Sequence, residues 1–211
     1  GGGCEPGRRA EEARSGPVPG LSSIAVAVVS RRRCAGDLPS SPGEPEWGAE
    51  GAGIYYPREE RGEANAYLLE LAAGGAPKKV TSGAHVLTGV SIAPTGQVAA
   101  IRSTTTSPGV LVTFPLAKPT QMKTLVDVNA DVLDGVTLAG AEEVWYASSD
   151  GLKVQGWLMK PVNFDPGKKY PLVLWIHGGP WSMYNLGWSW PFHFHCRPGR
   201  RADVEVGYAA R

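Results

Sequence analysis

The sequence predicts a β-rich chain that passes into an α/β fold near residue 141. Three observations predict it. Short apolar segments recur after 45 residues in the middle of the chain. That pattern changes after Gly140. Further on, the apolar run Leu172–Ile176 leads directly into a glycine-bearing loop, His177-Gly178-Gly179-Pro180.

Composition sets the outer bounds. With 21 basic against 20 acidic residues the net charge is +1, which offers no polyelectrolyte a strong foothold, so no nucleic-acid partner is expected. No apolar run approaches the ~20 residues a membrane span requires. No signal-peptide pattern is evident either, and the protein is expected to be cytoplasmic. Cys4, Cys34 and Cys196 are odd in number and widely spaced, which fits neither a disulfide framework nor a zinc site. Residues 1–50 hold 9 Gly and 6 Pro, too many for a segment with a core of its own. Lysines occur only between Lys78 and Lys169, where the strand patterns are also clean. Residues 1–44 are therefore expected to be irregular, disordered or a degraded repeat, with Ile24–Val29 a possible strand, and residues 191–211 to be an atypical, disordered tail.

The repeat occupies residues 45–140. Pro45–Gly51 precedes the strand-like Ile54-Tyr55-Tyr56, and Val90–Gly96 precedes Val98–Ile101. A further strand follows in each unit, Ala66–Leu71 and then Val110–Leu116. The closing segments, Val80-Thr81 and Leu125-Val126, keep the same spacing. Four short strands per 40–50 residues with glycine turns is the signature of a β-propeller blade, so a partial propeller of about two blades is predicted. An irregular β-meander is the competing reading of the same residues.

Beyond Gly140, Val144-Trp145-Tyr146 and Lys153–Met159 flank the turn Ser149-Asp150-Gly151. An Asp-Gly pair between apolar runs signals a hairpin in which both central residues take positive φ. Lys160–Lys169, with Pro161 and Pro166, reads as a loop. Leu172–Ile176 is apolar without alternation, as expected of a strand covered on both faces.

These residues carry a family likeness. Asp150–Trp157, Phe164–Pro171 and His177–Trp181 resemble the prolyl oligopeptidase family of serine peptidases, in its acylaminoacyl-peptidase and dipeptidyl-peptidase-like branch. Tyr56–Ala66 and Thr81-Ser82-Gly83 are similar to that branch's propeller. The resemblance spans roughly residues 45–190. It implies that residues 141–190 begin an α/β-hydrolase domain, truncated here, and that the complete enzyme cleaves short peptides by acyl transfer with no metal or cofactor. Both ends depart from the family's pattern, and coding sequence out of frame there would account for it.

The loop after Leu172–Ile176 has a mechanical reading. Glycines let backbone N–H groups approach a ligand with no Cβ in the way, and such a loop supplies one oxyanion donor in α/β-hydrolases. The alternative is an ordinary strand-to-loop turn. Gly178 and Gly179 are the candidates, Gly179 being favoured by the resemblance, with His177 shaping the loop rather than acting as base. No catalytic serine, acid or base is assigned. Ser189, in Gly187-Trp188-Ser189-Trp190-Pro191, lacks the second glycine of a nucleophile elbow and is read as a chance match. His193, His195 and Cys196 could be metal ligands on a strand face, but no fourth ligand follows at matching spacing, and no metal site is assigned. Arg31-Arg32-Arg33 reads as a solvated charge run. Trp181, Tyr184, Trp188, Trp190 and Phe192 read as the apolar face of a helix. Without a nucleophile the isolated chain is expected to be inactive. The alternative function is a non-catalytic propeller-type interaction module.

Overall fold

The structure, a computed structural model, describes residues 43–48, 53–70, 76–178, 182–196 and the backbone of 202–206. All of them fall in the unit Pro39–Arg211. Cys4, Cys34, Ile24–Val29, Arg31–Arg33, Gly179, Pro180 and Trp181 lie outside the described residues.

Eight strands make the first sheet: β1 (Glu46–Trp47), β2 (Gly53–Glu60), β3 (Glu63–Glu70), β4 (Lys78–Lys79), β5 (Val86–Ile92), β6 (Gln97–Thr104), β7 (Ser107–Pro115) and β8 (Lys123–Val126). The order is β1-β2-β3-β5-β6-β7-β8, with β4 also paired to β3. Only one parallel pair, Ala64 with Val86, joins β3 to β5. The sheet is thus two antiparallel four-stranded units, β1–β4 and β5–β8. The sequence repeat reappears in their registers. Tyr67 pairs with Lys79 in the first unit, and Val112 pairs with Thr124 in the second, each partner 45 residues on. In the first unit the closing strand lies slightly before the Val80-Thr81 expected from the sequence. The Val80 and Thr81 amides instead both donate to the Ala66 carbonyl, at 2.8 and 3.3 Å.

Alternation explains the core of the second unit. Val98 and Ala100 on β6, and Val110, Val112 and Phe114 on β7, turn to one side and bury with Leu87 and Val90. Burial of each of the Val, Leu and Phe side chains among them contributes about 1.5–3 kcal/mol. Glu60 and Glu63 are joined by a two-residue turn in which Arg61 (φ 51°) and Gly62 (φ 79°) both take positive φ. That geometry matches the twist of the flanking strands.

The second sheet contains β9 (Ala141–Ala147), β10 (Lys153–Met159), β11 (Leu172–Ile176) and β12 (Ala202–Val206), in the order β11-β12-β10-β9. The β9–β10 hairpin forms as expected, but not with two positive φ values. Only Gly151 is in that region (φ 82°). The Ser148 amide donates to the Leu152 carbonyl at 2.8 Å, which closes a three-residue loop. Asp150 secures it by accepting from the Ser148 hydroxyl and the Leu152 amide. Among the described residues the α-helices are short, α1 (Ala130–Leu133) and α2 (Trp190–His195).

Three expectations are corrected here. The tail is not irregular throughout: α2 forms, and β12 inserts between β10 and β11, antiparallel to one and parallel to the other. A parallel pair needs a crossover rather than a tight turn, and α2 lies within the segment that makes it. Next, β11 is not covered on both faces. Val173 and Trp175 are half-buried, while Leu172, Leu174 and Ile176 are 64%, 58% and 51% exposed. Finally, the aromatic segment is not one helix. Tyr184 and Trp188 lie in an extended stretch, and only Trp190 and Phe192 belong to α2.

Candidate functional site

The expected oxyanion segment begins where β11 ends. His177 is half-buried, and its Nδ1 lies 3.0 Å from the Gly178 carbonyl. Its ring meets Tyr184 edge to face, with centroids 5.9 Å apart. Gly178 is exposed, and a Cβ placed there would meet no atom within 4 Å. Packing therefore does not demand glycine at 178, and one side of this backbone is open to an incoming group.

An aromatic cluster supports the segment from below. Trp175 of β11 packs edge-on to Phe192 of α2 at 5.5 Å, and Tyr184 packs on the same ring at 5.4 Å. Phe192 is buried with Ala139, Met159 and Cys196. The Cys196 thiol donates to the Met159 carbonyl at 3.6 Å, and the Val162 amide donates to the Cys196 carbonyl at 3.2 Å, so α2 is tied to both ends of the β10 exit.

The remaining candidates separate. Ser189 is the N-cap residue of α2 with extended backbone (φ −134°, ψ 108°), and its side chain makes no capping bond. That geometry is not the strained strand-to-helix turn that presents a nucleophile. Ser189 borders a small cavity between the sheets with Thr105, Trp157, Asn185 and His193. The cluster read as possible metal ligands lies in a helix, not a strand, and its members face different neighbours. His193 Nε2 is 2.5 Å from the Thr105 carbonyl and its ring stacks on Trp188 at 4.2 Å. His195 packs on Trp175, and Cys196 turns to Met159. Among the described residues no group of three His, Cys, Asp or Glu converges on a metal position.

What sequence reasoning missed is how the first sheet meets this region. Leu186 N–H donates to the Gly62 carbonyl at 2.7 Å, and Gln155 Nε2 donates to the Arg61 carbonyl at 3.2 Å. Asn185 Nδ2 donates to Glu59 at 3.1 Å, and the Trp188 amide donates to Ser103 Oγ at 2.9 Å. The tips of the β2–β3 and β6–β7 hairpins thus seat on the stretch 185–193. The available signal was the two-residue gap with glycine between Glu60 and Glu63. Burial lowers the His193 pKa, with the Thr105 bond opposing it.

A second polar cluster lies within the first sheet. Thr81 Oγ1 accepts from the Ala66 amide at 2.9 Å and donates to Asn65 Oδ1 at 3.0 Å. Asn65 Nδ2 donates to Glu63 at 3.0 Å, and Lys79 donates to the same carboxylate at 3.0 Å. His85 lies beside this group with its pKa lowered, first by burial and then by Arg102. Burial and the bond to Glu60 push the Tyr67 pKa up to about 12.

No family model matches the chain. It is 30% identical over 142 residues to the uncharacterized peptidase YuxL of Bacillus subtilis, covering 66% of this chain and 21% of that protein. It is 27% identical over 163 residues to dipeptidyl-peptidase 5 of Porphyromonas gingivalis, covering 77% of this chain and 22% of the relative. The chain is similar in sequence to these peptidases over that part of their length. The fold agrees: an acylaminoacyl peptidase in complex with Z-Gly-Gly-Phe-chloromethyl ketone superposes with a TM-score of 0.69 at 20% identity, over 83% of this chain and 26% of that one. Both findings are consistent with the prolyl oligopeptidase resemblance drawn from the motifs. The chain spans about a fifth of the length of the two curated relatives. Among its described residues no helix is long and apolar enough to cross a membrane.

Proposed function

We propose that this chain is part of a serine peptidase of the prolyl oligopeptidase family, joining propeller blades (residues 45–140) to the start of an α/β-hydrolase domain (residues 141–190). The observation that carries the reading is the open backbone at Gly178, at the end of a strand whose chain is similar in sequence to peptidases. In the complete enzyme, the His177-Gly178-Gly179 segment supplies one backbone N–H to the oxyanion of an acyl-transfer intermediate, Gly179 being the favoured donor. His177 holds the loop's shape through its contacts with the Gly178 carbonyl and Tyr184. The substrates are short peptides, a reading supported by the peptide-like inhibitor named with the structural neighbour. The nucleophile, acid and base belong to the part of the relatives' length that this chain does not span. No observation favours the binding-module alternative.

The test uses the product of the complete gene with acyl-peptide and dipeptidyl chromogenic substrates. Gly179→Pro removes the proposed donor and is expected to lower kcat roughly 10²–10³-fold with little change in KM. A full-length Gly179→Pro enzyme with unchanged kcat would overturn the assignment.

A further inference from the structure

The tip of the β2–β3 hairpin reaches the His177–Gly178 segment through consecutive contacts. The Trp157 indole lies over Gly62 so closely that an added Cβ would sit 2.2 Å from Cζ2. The same indole's Nε1–H donates to the Tyr184 carbonyl at 3.2 Å. Two residues on, the Leu186 amide donates to the Gly62 carbonyl at 2.7 Å. The backbone at 184–186 is therefore pinned at two points, one to β10 and one to the hairpin tip. Trp157 and Leu186 are both buried. Pinning the backbone at Tyr184 places the Cα from which its ring extends, and that ring, packed on Phe192, meets His177 edge to face with planes at 80°.

We infer that Trp157 and Tyr184 are positioning residues: they transmit the placement of the first sheet's Arg61–Gly62 tip to the His177–Gly178 segment. The inference rests on the oxyanion reading for its catalytic meaning but not for its test. Its consequence is that displacement of the first sheet displaces an oxyanion donor. Such donors act only when held about 2.7–3.1 Å from the developing charge, and a shift of about 1 Å can cost about 10²-fold in rate.

The 211-residue chain labelled at histidine Cε1 gives a direct measurement by NMR, with the His177 signal assigned by His177→Gln. Trp157→Phe keeps a ring but removes the Nε1–H donor. Gly62→Ala forces the indole aside. Both are expected to move the His177 signal by more than a linewidth. Tyr184→Phe keeps the ring and the carbonyl and should leave the signal in place. In a Tyr184→Leu background, Trp157→Phe should no longer move it, as coupling through Tyr184 requires. A His177 signal unmoved by Trp157→Phe in folded protein overturns the inference, and so does a movement that persists without the Tyr184 ring. Where Gly62→Ala or Tyr184→Leu does not fold, the Trp157→Phe result alone decides. Loss of the oxyanion reading would show instead as unchanged kcat in full-length Gly179→Pro, with the His177 movements intact.

Discussion

Gly62 and Trp157 occupy one space: the ring of Trp157 stands where any side chain at position 62 would have to go. The two residues come from different sheets and are far apart in sequence. Gly62 also has φ 79°, so both its conformation and its neighbour exclude a Cβ. This contact seats the Arg61–Gly62 turn on β10.

Gly62→Ala is expected to destabilise the chain by about 2–4 kcal/mol, combining the left-handed backbone penalty with overpacking against the indole. Gly151→Ala is the comparison, since it shares a positive φ but meets nothing within 4 Å. It should cost only about 1 kcal/mol. Urea midpoints of the two variants measure the difference, and equal losses would show that the Trp157 contact contributes nothing.

Thr81→Val keeps the shape at position 81 but removes the hydroxyl that serves both Ala66 N–H and Asn65 Oδ1. Both Asn65 and Thr81 are almost fully buried, so the stranded groups find no water. A loss of about 1–3 kcal/mol is expected. Thr81→Ser should recover most of it in the same unfolding measurement.

His85 and His193 both have pKa values lowered from 6.5, chiefly by burial. In the folded state each resists protonation, whereas in the unfolded chain each takes a proton near pH 6.5. Their contribution to stability is therefore complete above that pH and is lost as pH falls through the lower folded values. Arg102 and Lys79 reinforce the shift at His85, and Glu63 opposes it. Unfolding midpoints measured from pH 7.5 down to about pH 5 should fall in the parent. They should fall less steeply in His85→Gln, and parallel pH profiles would contradict this.

β11 ends the order of the second sheet and exposes Leu172, Leu174 and Ile176. An apolar edge strand of this kind invites pairing with another chain. Concentration-dependent association is expected, and Leu174→Lys should suppress it while leaving the circular dichroism spectrum unchanged. Sedimentation velocity across a concentration series checks this. A parent chain that stays monomeric throughout would count against it.

The isolated chain is expected to turn over neither acyl-peptide nor Ala- or Pro-linked chromogenic substrates, because Ser189, the N-cap residue of α2, has extended backbone rather than the strained turn that presents a nucleophile. A fluorophosphonate probe followed by peptide mass mapping settles it. Labelling at Ser189 together with inhibited turnover would make that serine a nucleophile after all.

Much of this was legible in the sequence because it is local. The 45-residue repeat located the strands at Val98–Ile101 and Val110–Leu116. The 45-residue spacing placed a closing strand in each unit, although the first forms at Lys78–Lys79 rather than at Val80-Thr81. Gly178 was singled out from its place after an apolar run. Other features were invisible to a local window. Ala202–Val206 alternates apolar and acidic residues, but only its pairing with β10 and β11 shows that it completes the second sheet. The aromatic residues from Tyr184 to Phe192 looked like one helix face, yet tertiary contacts with His177 and His193 divide them.

Repeat spacing, the β9–β10 turn and motif order were readable in the sequence, because they are properties of neighbouring positions. Only the tertiary structure decided which face of β11 is covered, that His193 meets Thr105, and that Gly62 must be bare. Each of those depends on two segments brought together from far apart. Gln155 reaches across 94 residues to Arg61. Burial and hydrogen bonding at such distances follow from packing, which overrides local propensity and leaves little trace in either segment alone.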